Sequence, residues 1–293
     1  MTDRPVPPAA TAAAPVPVSV AGPQGPIRLK WHKLRTRFAE APFKLSNLVL
    51  GWQGGASLEI DILSSADHRF VVAHDATLGP STTGRGHVAS LPIAAMKNLF
   101  HRDRDGSPDP DAPLLTLADF VAPLRALRRT SETHLQLDLK LPQGHVPSEA
   151  SIADIATAVA GLERAIVVSS YYLDAARRIV SAMPGTRLGY DPMRAASRDP
   201  GLARDPERLL RHLERCREAV WIVYLQFELV VAAEAQGFPL VRRLLDLGIA
   251  TDAWTVNPGP KLTDTVLRRV VEAKVRQITT DAPIEIARRI AGL

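Results

Sequence analysis

The stretch Leu58-Glu59-Ile60-Asp61-Ile62 alternates aliphatic and acidic residues with a period of two. Folded as a strand, it puts three aliphatics on one face and two carboxylates on the other. The aliphatic face suits packing beneath helices. The acidic face fixes two like charges close together, and such a pair repels unless a proton or a cation sits between them. Phe70-Val71-Val72-Ala73 reads as a further strand that delivers His74, beside Asp75. Leu135-Gln136-Leu137-Asp138-Leu139-Lys140 repeats the design, with Gln136, Asp138 and Lys140 sharing one face. Burying Asp or Lys alone is costly, so such faces need paired or metal-bound partners. A half-exposed antiparallel strand with one solvated face is the competing reading for either stretch by itself. Two matched strands in a chain that alternates strand and helix favour the inward-facing reading.

The remainder of the chain supplies that alternation. A first strand is predicted from Ile27 to His32, and a helix over 42–54 with Phe43, Leu45, Leu48, Val49 and Trp52 near helical spacing. Residues 75–115 read as a long insertion with polar turns and an Asp/Pro/Gly-rich segment, expected to act as a mobile lid. A helix over 116–129 opens at Thr116, with Asp119 completing a loose capping box. Helices over 149–161, 172–183, 202–217, 228–247, 260–274 and 283–291 alternate with strands at 165–169, 187–190, 219–223, 250–256 and 276–280. This pattern implies a parallel sheet. About eight strands in 293 residues imply an α/β fold closed as a (β/α)8 TIM barrel. In that fold the C-terminal ends of the strands carry the site. His32, His74, Asp138, Trp254 and Asp281 fall at such ends.

Composition narrows the functional classes. Hydrophobic residues make up 46% and mean hydropathy is -0.02, as in a soluble globular protein. The one cysteine, Cys216, rules out an intrachain disulfide and gives no sign of an oxidising compartment. The formal charge of +5 is compatible with an anionic substrate. The excess arginines lie mostly on predicted helices, and no basic cluster is interleaved with aromatics, so nucleic acid is not an expected partner. Residues 1–27 are Pro/Ala-rich and are expected to form a disordered arm. They lack the apolar run of a signal peptide, and no stretch is long enough to span a bilayer. The expected localisation is cytoplasmic. The basic run Arg28, Lys30, Lys33, Arg35 and Arg37 is a candidate for weak contact with a membrane surface. The folded domain is expected over 28–293.

Three blocks carry a family resemblance. They are Gly55-Ala56-Ser57-Leu58-Glu59-Ile60-Asp61, Val71-Val72-Ala73-His74-Asp75-Ala76-Thr77-Leu78 and Thr82-Thr83-Gly84-Arg85-Gly86-His87-Val88. With Leu137-Asp138-Leu139-Lys140, Trp254-Thr255-Val256-Asn257 and Ile278-Thr279-Thr280-Asp281-Ala282-Pro283, they resemble the glycerophosphodiester phosphodiesterase family of phospholipase C-like TIM barrels. The resemblance implies metal-dependent hydrolysis of small glycerophosphodiesters to sn-glycerol 3-phosphate and an alcohol. It implies His32 and His74 as general acid and base, and Glu59, Asp61 and Asp138 as ligands of a divalent cation. Hard oxygen ligands favour Mg²⁺ or Ca²⁺. Lys33 is expected to contact the substrate as a point charge where the family has Arg, Lys140 to contact the phosphate or a ligand, and Trp254 to be either a wall for the substrate or a core residue. The chain departs from the family in three places. His32-Lys33-Leu34 stands where the pattern has H-R-G, no E-N-T segment lies near 41–43, and Asp138 replaces the usual Glu. An Asp there and a looser first motif also occur in the related sphingomyelinase D group. That gives a second expectation, a phospholipase D-like action on lysophospholipids. A catalytically decayed binding barrel is the third.

Overall fold

The computed structural model describes residues 15–142 and 144–293. Eight parallel strands close into a barrel: β2 (Ile27–Trp31), β3 (Ser57–Ser64), β7 (His134–Leu139), β8 (Ile166–Ser170), β9 (Arg187–Tyr190), β10 (Ile222–Gln226), β11 (Ala250–Trp254) and β12 (Gln277–Thr280). Closure is through β12 and β3 on either side of β2, with Ile278 opposite Leu29 and Trp31 opposite Leu58. Two strands lie outside this ring. β1 (Ser19–Val20) runs antiparallel to β2, and β4 (Phe70–Val72) runs antiparallel to β3. The fold is the expected (β/α)8 barrel.

The alternation in β3 works as its sequence dictates. Leu58, Ile60 and Ile62 are fully buried in the core shared with the surrounding helices, and Glu59 and Asp61 are buried on the other face. Helix α1 (Leu45–Gly54) presses on this strand through Gly51. A Cβ at Gly51 would lie 2.6 Å from Leu58 Cδ2 and 2.9 Å from the Trp31 ring, so only glycine permits the approach. Helix α2 (Leu117–Val121) starts at the expected cap, where the Thr116 hydroxyl accepts from the Asp119 N–H and donates to its carboxylate.

Several boundaries differ from expectation for identifiable reasons. The region 202–217 is divided into two helices, Pro200–Arg204 and Pro206–Glu214, because Asp205 caps a new helix with Pro206 at its first position. The region 228–247 is likewise divided into two helices, Phe227–Ala235 and Leu240–Asp246. Gly237 takes φ 71° there and Pro239 cannot continue the helix. The strand expected at 219–223 begins three residues later, at Ile222.

Residues 15–27 correct the expectation of a wholly disordered arm. Ser19 and Val20 pair with β2, Pro17 accepts a hydrogen bond from Trp31 Nε1, and Val16, Val18 and Val20 pack on the core. The first fourteen residues of that arm lie outside the described residues. The basic run after it is likewise not a surface patch. Lys30 is buried inside the barrel 3.2 Å from Asp252, Lys33 and Arg35 are turned into the barrel mouth, and Arg37 alone is exposed. It offers no basic face to a membrane. Among the described residues no helix is long and apolar enough to cross one.

The 75–115 insertion has a core of its own. Leu78, Val88, Met96 and Leu114 pack with Leu63, Val71 and Ala73. Its hairpin of β5 (Phe100–Arg102) and β6 (Pro108–Pro113) is anchored at His101, which is 1% exposed, holds the Val72 carbonyl at 3.1 Å and meets the Phe43 ring edge-on.

Candidate active site

The C-terminal half of the barrel strands and the loops beyond them bring together the side chains expected at a site, with His74 delivered not by a barrel strand but by the end of the antiparallel β4. Oxygens of Glu59 and Asp61 from β3 and of Asp138 from β7 lie within 4.8 Å of one another. The strands put them there directly, since β3 and β7 pair with Asp61 opposite Asp138. Asp61 is fully buried, and neither of its oxygens has a hydrogen-bond donor in good geometry, although Lys140 Nζ lies 3.0 Å away. Ser169 Oγ donates to Asp138 Oδ1 at 2.7 Å. The Lys140 ammonium lies between Asp61 and Asp138, so in this structure it answers their charge rather than facing the cavity freely.

Electrostatics follow from crowding. Burial, then the charges of Asp61 and Asp138, push the Glu59 carboxyl well above its usual range. Burial alone would raise Asp61 too, but Lys140 and Lys33 outweigh it and hold that carboxyl well below its usual range. An all-oxygen trio with an orphaned buried carboxylate fits a hard divalent cation, which would supply the charge that Lys140 supplies only in part.

His32 follows β2 and starts a tight turn. Its Nδ1 lies 2.9 Å from Asp281 Oδ1, at the end of β12, and its Nε2 lies 3.9 Å from Glu59 Oε2. The carboxylate can only accept, so Nδ1 carries the proton, and in the neutral ring Nε2 turns its lone pair toward the acidic trio. Burial lowers the pKa of His32, against the hydrogen bond and charge of Asp281, which raise it. Asp281 is gripped from four sides: His32, Arg35 Nη1 at 3.1 Å, Arg104 Nη2 at 3.2 Å and Asn257 Nδ2 at 2.6 Å. Burial would raise its carboxyl, but the bond to His32 and the charges of His32 and Arg35 hold it well below the usual range. His74 is built in parallel: its Nδ1 lies 2.7 Å from Asp75 Oδ1, on a side chain 42% exposed. Lys33 reaches the site by its backbone, whose N–H donates to Glu59 Oε2 at 2.7 Å, and its ammonium is 4.0 Å from Asp61.

His32, Glu59, His74, Asp138 and Lys140 line a cavity of about 140 Å³. Trp254, Tyr171 and Tyr224 form its aromatic walls, and Lys30, Gln136 and Asp191 close its polar base. Asp191, Tyr171, Asp75, Arg35 and Arg104 were not among the site residues expected from sequence. Asp281 was legible in the sequence as a carboxylate at a strand end, and Asp75 could have been found beside His74 in the same way, whereas nothing local marks Arg35 or Arg104.

The glycerophosphoryl diester phosphodiesterase family model matches residues 52–285. The chain belongs to that family. As a member it is a phosphoric diester hydrolase by class. The fold agrees with solved structures. A protein from Silicibacter pomeroyi DSS-3 assigned as a glycerophosphoryl diester phosphodiesterase shares 20% identity with a TM-score of 0.69, covering 94% of each chain. An Oleispira antarctica phosphodiesterase, solved with the product sn-glycerol-3-phosphate, shares 19% with a TM-score of 0.62, covering 90% of this chain and 96% of its own. A glycerophosphodiester phosphodiesterase from Agrobacterium tumefaciens str. C58 shares 20% with a TM-score of 0.61, covering 91% of this chain and 100% of its own. No curated protein matches the chain in sequence.

Proposed function

We propose that the protein hydrolyses glycerophosphodiesters to sn-glycerol 3-phosphate and an alcohol, with His32 and His74 moving the protons. One observation carries the reading. Two imidazoles, each held at Nδ1 by its own carboxylate, face one cavity lined by Glu59 and Asp138, with Asp61 buried beside them in the same acidic cluster. A binding protein has no use for two oriented imidazoles in such a place. The product complex of the Oleispira protein supports the glycerol phosphate half of the substrate.

Glu59, Asp61 and Asp138 would hold Mg²⁺ or Ca²⁺, and the bound ion would neutralise and orient phosphate charge. His32 is the base. Burial disfavours its imidazolium, so near neutral pH it starts with a free Nε2, and Asp281 stabilises the charge it acquires. His74, closer to solvent and paired with Asp75, returns a proton to the departing alcohol. Lys33 and Lys140 contribute positive charge beside the phosphate, and Trp254 walls the glycerol side.

One observation favours a lysophospholipid as a second substrate. A cleft of about 610 Å³, with Leu63, Ala66, Ala89 and Leu141 along it, opens beside His74 and Lys140 and has room for an acyl chain on the glycerol. The deciding assay is a diester panel, with lysophosphatidylcholine included, run with added Mg²⁺ or Ca²⁺ and with chelator. Cation-dependent release of sn-glycerol 3-phosphate supports the reading. Absence of hydrolysis of every diester in both cations refutes it.

A further inference from the structure

A second cavity, of about 350 Å³, shares His32 and His74 with the first and lies on their far side. A phosphodiester has two ester arms. If the phosphate sits between the imidazoles with glycerol in the aromatic cavity, the other arm enters this second space.

Its lining is unusually charged for a space that receives a neutral or cationic alcohol. Lys33, Arg35, Arg102 and Arg104 stand against Asp75, Asp103 and Asp281. The three carboxylates are already engaged. Asp281 is held by His32, Asn257 and two guanidiniums, and Asp75 by His74. Asp103 accepts the backbone N–H groups of Asp105 and Ser107 in the hairpin turn. Two arginines therefore share one carboxylate that also serves a histidine. Arg102 has no carboxylate partner among the described residues. It donates to the carbonyls of Thr82 and Gly106, which fix its position without cancelling its charge. Arg104 is held in place by Phe38, whose ring lies 3.6 Å beneath its guanidinium. Preset guanidiniums of this kind suit a second phosphate or a carboxylate, by geometry as well as charge.

We infer that this cavity is the leaving-alcohol subsite and that it selects alcohols carrying an additional anionic group. The inference rests on the phosphodiesterase reading and adds the charge class of the second arm. Arg102 is a specificity residue in it, and the insertion hairpin is the element that sets the preference.

The test compares kcat/KM for glycerophosphoinositol and glycerophosphoinositol 4-phosphate, which differ by one phosphate, alongside glycerophosphocholine and lysophosphatidylcholine. The phosphorylated diester is expected to be preferred by about tenfold or more, the worth of one charge-assisted hydrogen bond. High salt should shrink that ratio in the wild-type enzyme, a readout that needs no variant. Arg102→Gln should bring the ratio near one and Arg102→Glu should invert it, while Arg102→Lys should keep part of it. Hydrolysis of all diesters at a ratio near one, or a preference set by the acyl chain and indifferent to Arg102, overturns the inference and leaves the phosphodiesterase reading standing. No hydrolysis of any diester removes that reading, and the inference with it.

Discussion

Replacing Asp281 by Asn tests the proposed role of His32 without touching the imidazole. The substitution keeps the size of the side chain and can keep a hydrogen bond to His32 Nδ1, now 2.9 Å from a carboxylate oxygen. What it removes is the negative charge behind the ring. If His32 takes a proton in the rate-limiting step, the imidazolium forms without its counter-ion. A hydrogen bond to a charged group contributes about 1.5–3 kcal/mol, which is roughly a 10- to 100-fold fall in kcat. The pH profile supplies a signature that simple damage would not. Burial lowers the His32 pKa and Asp281 raises it, so the variant should have a still lower value. The acidic limb of the kcat/KM profile, where His32 must be neutral, should therefore move to lower pH. Stability should fall as well, because Arg35 and Arg104 lose a shared partner, with the exposed Arg104 able to turn to water. The assay is a pH series of initial rates on one glycerophosphodiester, with thermal melting as control. A folded variant with wild-type kcat and an unmoved acidic limb would refute the assignment of His32 as base.

His32→Asn and His74→Asn should each lower kcat by about 10²–10⁴ while cation and substrate still bind, and a nitrophenyl leaving group should rescue His74→Asn alone; rescue of His32→Asn instead would exchange the two roles. Asp61→Asn should abolish the rise in melting temperature that Mg²⁺ or Ca²⁺ gives the wild type, and an undiminished rise would remove Asp61 from the cation site. His101, held by burial at a pKa of about 4, should make the protein acid-sensitive. Between pH 6.5 and 4 the unfolded chain binds a proton that the native state refuses, so this stability is complete above about 6.5 and declines by on the order of 3 kcal/mol by pH 4. The raised carboxyls of Glu59 and Asp191 act in the opposite sense in that window, so the comparison is with His101→Gln, in which they cancel; equal melting-temperature slopes with pH in the two proteins would refute it.

What could be read from the sequence was whatever is encoded locally. Glu59 and Asp61 announce their shared face because a strand has a period of two, and His74 and Asp138 sit where strands end. The insertion could be placed by length, but its packing could not, since Leu78 and Met96 meet Leu63 and Val71 only after folding. The breaks at Asp205-Pro206 and Gly237-Phe238-Pro239 were marked by turn chemistry that helical periodicity overrode. Long-range polar contacts left no trace. Asp281 meets Arg35 and Arg104 across most of the chain, and nothing near any of the three indicates the others. The first motif shows a subtler case. Lys33 and Leu34 adopt φ 53° and 59°, a left-handed turn that explains why the family pattern has glycine after its second residue. Leu34 accepts about 1–2 kcal/mol of strain there and is fully buried in exchange.

The His32–Asp281 contact spans 249 residues, which bears on when the enzyme can first act during its own synthesis. At about 5–20 residues per second, roughly 10 to 50 seconds separate the appearance of the two partners. Throughout that interval β2 lacks its β12 neighbour, and the imidazole lacks the carboxylate that orients it. A growing chain therefore presents Glu59, Asp61 and both histidines well before it can arrange them as the proposed proton transfer requires. If His32 is the base, turnover begins with the last strand, and a chain cut short before β12 is expected to be an inert polypeptide rather than a partly active one.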